Sequence, residues 1–185
     1  MTYEQVATRL RLPLGFILAA LYLVFGPRPT PLTLGVGVAF ALVGLAIRAW
    51  AAGHIVKNDR LATTGPYAHT RNPLYFGSFL IAAGFAIAAH WGLLLIVIAF
   101  FALVYGPTIE KERAKISAQF PDAYAKWSEN VPAFVPRPTA WRDPMVQETE
   151  RFSPALYMRH GEWRAALGFV FALAWLVLRM RGDLW

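Results

Sequence analysis

The chain has no cysteine, so disulfides, thiolate metal sites and cysteine nucleophiles are excluded from the outset. Charge is also scarce: only 16% of its 185 residues are Asp, Glu, Lys or Arg, where a soluble domain carries about a quarter. Its four histidines, His54, His69, His90 and His160, lack metal-ligand spacing, and no metal site is expected. Lys and Arg exceed Asp and Glu by 18 to 11. No basic stripe interleaved with exposed aromatics accompanies that excess, so nucleic acid is not an expected partner. The basic residues flank apolar runs instead, where the positive-inside rule and anionic headgroups account for them.

What fills the chain is hydrophobic, 57% of residues with 15% aromatic. The length suits a single domain, residues 1–185. Long uncharged stretches predict an all-α, polytopic integral membrane protein with about five transmembrane helices, plus amphipathic helices on the cytosolic face. A first span, Leu12 to Phe25, follows Arg9 and Arg11. The Gly26-Pro27-Arg28-Pro29 run after it is a poor cleavage site, so the span reads as a retained anchor. A second covers about Leu32 to Ala52, where Gly35, Gly37 and Gly44 favour close helix packing. Arg48, near its end, reads as a snorkelling residue. From Leu74 to Ile109 the chain is apolar except at Ala89-His90-Trp91-Gly92, which predicts two spans and a tight hairpin. The fourth span is expected to end near Tyr105-Gly106-Pro107, with Pro107 freeing backbone carbonyls that need a partner.

From Glu110 to Phe134 apolar residues recur at spacings of three and four. This predicts amphipathic pieces broken at Phe120-Pro121, at the membrane surface. Thr139 to Ser153 is polar and aperiodic. A last apolar run, about 164–180, reads as an extra C-terminal helix, either a fifth, short span, the favoured reading, or an interfacial helix. Arg9, Arg11, Lys57, Arg60 and Arg71 against Arg28 alone in the first loop put the N-terminus, residues 53–73 and the Glu110–Phe134 region together on the cytoplasmic side. Arg179 and Arg181 then fall outside.

One stretch concentrates polar character where the chain enters an apolar segment: Gly65-Pro66-Tyr67-Ala68-His69-Thr70-Arg71-Asn72-Pro73-Leu74-Tyr75-Phe76-Gly77. Gly65-Pro66 marks a turn, Asn72 is biased away from helix by Pro73, and Pro73 is placed to open a helix. No charged residue follows Arg71 until Glu110. Taken alone, Tyr67 and Tyr75 read as interfacial belt aromatics, Arg71 as a snorkelling cation, Glu110 and Glu112 as a solvated helix face, and His69 and His54 as interfacial residues.

Gly65-Pro66-Tyr67 and Arg71-Asn72-Pro73-Leu74-Tyr75-Phe76-Gly77 are followed, beyond the hydrophobic hairpin, by Glu112, Ile116 and Phe120-Pro121-Asp122-Ala123-Tyr124. In that order these blocks, over about residues 52–136, resemble the isoprenylcysteine carboxyl methyltransferase and phospholipid methyltransferase superfamily. The resemblance implies a membrane-embedded enzyme using S-adenosyl-L-methionine in a cytosol-facing pocket. It also implies a lipophilic or lipidated acceptor entering from the bilayer, and so membrane lipids as surroundings. Asn72 stands where the superfamily has histidine, and Arg113 where it has a second glutamate. The resemblance implies catalytic roles for Arg71 and Glu112, and cofactor contacts from Gly65, Pro66, Tyr67, Arg71, Asn72, Tyr75, Glu110 and Glu112. Methyl transfer from a sulfonium mainly requires positioning and exclusion of water. Carboxylates suit the cofactor's ribose hydroxyls and ammonium, tyrosine faces suit its sulfonium or adenine, and Arg71 suits a carboxylate. Glycine backbone near Gly65 and Gly77 permits close ligand approach.

Carboxyl O-methylation of an isoprenylcysteine-like substrate is the expected reaction. A lipid-amine or phospholipid N-methyltransferase is the alternative. An NADPH-dependent sterol-reductase-like enzyme has a comparable block, but Leu74 and Ser78 replace its Asn and Glu. A membrane scaffold with a decayed site is the non-enzymatic reading.

Overall fold

A computed structural model describes residues 3–54, 61–142 and 151–182; Lys57, Arg60 and residues 143–150 of the aperiodic stretch lie outside the described residues. Among the described residues every regular element is helical. The helices are α1 (Tyr3–Phe25), α2 (Pro31–Ala52), α3 (Pro73–Ala89), α4 (Leu93–Phe100), α5 (Gly106–Gln119), α6 (Pro121–Asn130), α7 (Pro154–His160) and α8 (Trp163–Arg181), with a short 3-10 turn at Gly65–Ala68. Four stretches are long and apolar enough to cross a membrane: Gln5–Phe25, Pro31–Ala52, Leu93–Gln119 and Trp163–Arg181. The fifth expected span, α3, has 17 residues and extends about 26 Å, slightly under the roughly 30 Å hydrocarbon core.

The α2–α3 pair forms the centre. Thr30 caps α2 by accepting from the Thr33 amide, and Pro31 opens it without needing a donor. Two glycine pairs face each other across the helices. A Cβ on Gly84 would strike the Gly37 carbonyl and lie 3.1 Å from the Ala41 Cβ, and one on Gly77 would lie 2.7 Å from the Gly44 carbonyl. Gly37 and Gly44 thus provide the close packing expected of them, whereas Gly35 meets nothing within 4 Å. Large apolar side chains such as Phe16, Phe25, Leu32, Leu95, Leu103 and Phe171 stay exposed, as suits helices solvated by acyl chains.

The sequence expectation fails at the end of the fourth span. α4 and α5 run on as one helix, Leu93–Gln119, through a π turn at Phe101–Tyr105 in which the Gly106 amide reaches back to the Phe101 carbonyl. Pro107 has no N–H to return to the Leu103 carbonyl. The turn absorbs the defect, and the Tyr3 hydroxyl of α1 donates to the Leu103 carbonyl at 2.5 Å. Pro107 therefore does free a carbonyl that a neighbouring helix satisfies, but it does not stop the helix. α1 likewise begins well before Leu12, so Arg9 and Arg11 are helical.

Near its start α8 lies beside the end of α2, and at its far end the Trp175 indole and Arg179 guanidinium both donate to the Leu23 carbonyl at the end of α1. It therefore runs the depth of the bundle. The short α7 went unforeseen: Ser153 caps it through the Leu156 amide, Pro154 opens it, and Gly161 closes it at φ +68°.

Candidate functional site

Asn72 has φ −129° and ψ 55°, the non-helical backbone that a following proline enforces, and α3 starts at Pro73. The chain after α6 then doubles back along the preceding polar stretch. Arg71 N–H donates to the Pro132 carbonyl and Arg137 N–H to that of His69, each at 2.9 Å. The Asn72 side-chain amide donates to the Ala133 carbonyl and the buried Thr70 hydroxyl to that of Phe134, both at 2.8 Å. Beneath this, Tyr124, Trp127 and Val131 turn one face of α6 inward against Tyr67, Ala51 and Ala62. The Trp127 indole donates to the Tyr67 carbonyl at 3.0 Å.

Between these layers lies a cavity of about 250 Å³, lined by Arg71 and Asn72 from one motif block, by Ile109, Glu110, Glu112, Arg113 and Ile116 from α5, and by Tyr124, Trp127 and Ala133. The two polar clusters predicted to share one face thus enclose a common space. Arg71 donates to the Tyr124 hydroxyl at 2.9 Å and lies 5.9 Å from that ring's centre. Its Nε is buried without an acceptor. Glu110 is held by Arg113, Nε to Oε2 at 2.6 Å. Glu112 accepts from the Tyr75 hydroxyl at 2.8 Å. Tyr75 in turn accepts from Arg11 at 2.8 Å, and Arg11 stands 3.8 Å from the Glu112 carboxylate.

Gly65, Pro66 and Tyr67 are not among the residues lining this cavity. The open side of Gly65, at φ +57°, is filled by the His54 ring, and that of Gly77 by α2 and Arg48. The Tyr67 ring is core. His69, His54 and His160 each place Nδ1 within 3.0 Å of a backbone carbonyl. A carbonyl only accepts, so that nitrogen carries the proton in each. Sequence reasoning missed Arg11, which lies 64 residues from Tyr75, and the pairing of Arg48 with Glu162; neither leaves a local signal. The apolar spacing of Tyr124 and Trp127 was legible, but that face was expected at the membrane surface and instead packs on Tyr67, Ala51 and Ala62.

The Tyr67 hydroxyl is also buried without a partner. Burial first, then the Glu162 and Glu112 carboxylates, push its phenol well above the ordinary value, with Arg48 opposing. In the unfolded chain the phenol loses its proton near pH 10, where the native state still keeps it. The unfolded state then binds fewer protons, so stability should fall as pH rises above about 10. Melting temperatures across that range should fall less steeply in Tyr67→Phe; an unchanged slope would refute the assignment.

The chain matches the phospholipid methyltransferase family over residues 33–122, the stretch carrying the glycine-packed helix pair and most of the cavity wall. The family segment contains Arg71, Asn72, Tyr75, Glu110 and Glu112, while Arg11 and Glu162 lie outside it. Two curated relatives are similar. The cobalt-zinc-cadmium resistance protein CzcN of Cupriavidus metallidurans is 36% identical over 118 residues, 62% of this chain and 53% of the relative. The nickel-cobalt-cadmium resistance protein NccN of Alcaligenes xylosoxydans xylosoxydans is 36% identical over 115 residues, 60% of this chain and 52% of the relative. The chain therefore aligns with about half the length of each. No solved structure matches it. Among the described residues no group of three or more His, Cys, Asp or Glu side chains is placed to hold a metal ion.

Proposed function

We propose that this protein is a membrane methyltransferase that uses S-adenosyl-L-methionine and methylates a lipophilic acceptor. The observation that carries this reading is the charge arrangement of the cavity: Arg71 lines it together with Glu110 and Glu112. That donor set fits the cofactor's amino-acid end, which presents one carboxylate and one ammonium. The cavity volume, about 250 Å³, lies just below the range of about 300–1,000 Å³ usual for small-molecule sites, enough for that end of the cofactor. The match to the phospholipid methyltransferase family over residues 33–122 supports the same cofactor.

When bound, the cofactor supplies an electrophilic methyl on a sulfonium. Arg71 binds an anionic group through its guanidinium. Glu112 is the principal cation-holding carboxylate, because Glu110 is already neutralised by Arg113. Asn72, tied to the Ala133 carbonyl, fixes the cavity rim and does not titrate. Tyr75 orients Glu112 through its hydroxyl. Tyr124 and Trp127 wall the cavity with apolar ring surface, which keeps water from competing for the methyl. Gly65, Pro66 and Tyr67 support this wall from behind. The site faces the cytoplasm in this reading, as the Lys and Arg distribution favours.

The acceptor we favour is a carboxylate on an isoprenylcysteine-like lipid, with a phospholipid or lipid amine as the alternative. Calorimetry of S-adenosylhomocysteine against the detergent-purified protein tests the cofactor, with NADPH as comparison. Micromolar binding of the former alone is the expected result; silence toward it, or binding of NADPH instead, would overturn the reading. Transfer of labelled methyl to a farnesylated cysteine or to phosphatidylethanolamine in mixed micelles then separates the two acceptors.

A further inference from the structure

Arg48 and Glu162 meet from positions 114 residues apart. Arg48 Nε donates to one carboxylate oxygen at 2.9 Å and Nη2 to the other at 2.8 Å. Only 23% and 12% of the two side chains is exposed. The remaining nitrogen, Nη1, donates to the Ser78 hydroxyl and, at 3.3 Å, to the Leu74 carbonyl. Ser78 itself donates to that carbonyl at 2.9 Å. Arg48 thus grips the first turn of α3 on both sides of Tyr75, whose hydroxyl holds Glu112. Gly77 makes the grip possible, since a Cβ there would stand 2.7 Å from the Arg48 Cγ.

Glu162 is fixed independently. It occupies the corner between α7 and α8, which is fastened to the end of α2. The Ser153 amide donates to the Gly53 carbonyl at 2.9 Å, and the His160 ring to that of Ala52 at 3.0 Å. The corner, Arg48 and the start of α3 therefore form one rigid chain of polar contacts. An arginine fork holds its direction only while a carboxylate engages both prongs.

We propose that Glu162 is a positioning residue for the cavity. Through Arg48 it sets the first turn of α3, and so the Tyr75 hydroxyl that orients Glu112. The C-terminal hairpin, outside the family segment, thereby completes the site. Only the affinity part of the following test rests on the methyltransferase reading.

Hydrogen–deuterium exchange in detergent on Glu162→Gln compares the peptide 71–79 with peptides from 151–182. Faster exchange is expected in both, with a smaller change at both in Glu162→Asp, which keeps the charge but shortens the reach. Alongside it, S-adenosylhomocysteine affinity, measured well below the melting temperature, should fall between roughly tenfold and a hundredfold in Glu162→Gln and by less in Glu162→Asp. Glu162→Asp carries the test if Glu162→Gln folds poorly. Exchange changes confined to 151–182 would overturn the proposal. So would altered exchange at 71–79 with affinity unchanged, because Glu162 would then be structural only. Altered exchange at 71–79 in a protein whose wild type does not bind S-adenosylhomocysteine would sink the cofactor reading and leave the coupling standing.

Discussion

Alanine at Glu112 is expected to weaken S-adenosylhomocysteine binding by roughly tenfold to a hundredfold, the scale of a lost hydrogen bond to a charged group. The folded protein should barely notice the change. Glu112 is about half exposed and its nearest cation, Arg11, is 3.8 Å away, so little native stabilisation disappears with the carboxylate. What disappears is the cavity's least committed negative charge. Glu110 lines the same space, but its carboxylate is occupied by Arg113 at 2.6 Å, so Glu110→Ala should cost clearly less affinity. Calorimetry on the two variants, with melting curves on each, checks the contrast. Equal losses would mean that both carboxylates share the ligand, and an unchanged affinity in Glu112→Ala would remove Glu112 from the site.

The second large effect concerns the helix pair that carries the site. Leucine at Gly84 should lower the melting temperature by roughly 4–12 °C, from an overpacking cost of about 2–3 kcal/mol in a chain of this size. The obstacle is the Gly37 carbonyl, part of a helix backbone that cannot rotate aside, with the Ala41 Cβ next to it. The matching control is Gly35→Leu on α2, where nothing lies within 4 Å and the new side chain would meet acyl chains. That variant should melt within a couple of degrees of wild type. Similar melting of the two variants would show that close α2–α3 contact contributes little to stability.

These contrasts show what a single sequence discloses. Gly37 and Gly44 were readable as packing residues because small side chains in an apolar helix have few other uses, yet nothing in the sequence separates them from Gly35. The separation comes only from which face meets α3. The start of α3 was readable from Pro73, and the hairpin from His90-Trp91-Gly92, because proline, glycine and interfacial aromatics act locally; Pro31 read as part of a stiff, non-helical connector, yet it opens α2. The amphipathic pattern of α6 was readable from the spacing of Tyr124, Trp127 and Val131, but not that this side packs on Tyr67 and Ala51. The π turn was not. Pro107 predicted an unsatisfied carbonyl correctly, but whether a helix stops or bulges depends on what neighbouring chain supplies a donor, here Tyr3. α7 was missed although Ser153-Pro154 and Gly161 carry start and stop signals, because seven residues between them give too little periodicity to notice. Of the cavity residues, Arg71, Asn72 and Glu112 came from the motif blocks; Arg11, which reaches Glu112 and Tyr75 from a helix far upstream, had no such signature.

The distance between Arg48 and Glu162 also sets an order of events during biogenesis. At about 5–20 residues per second, the 114 residues that separate them take roughly 6–23 s to synthesise. During that interval α2 and α3 exist in the nascent protein while the carboxylate that will hold Arg48 has not been made. Arg48 must meanwhile remain near headgroups or water, where its charge is tolerated. The arrival of α8 therefore does more than add a span: it draws a waiting cation into the protein, in the same step that fixes the start of α3.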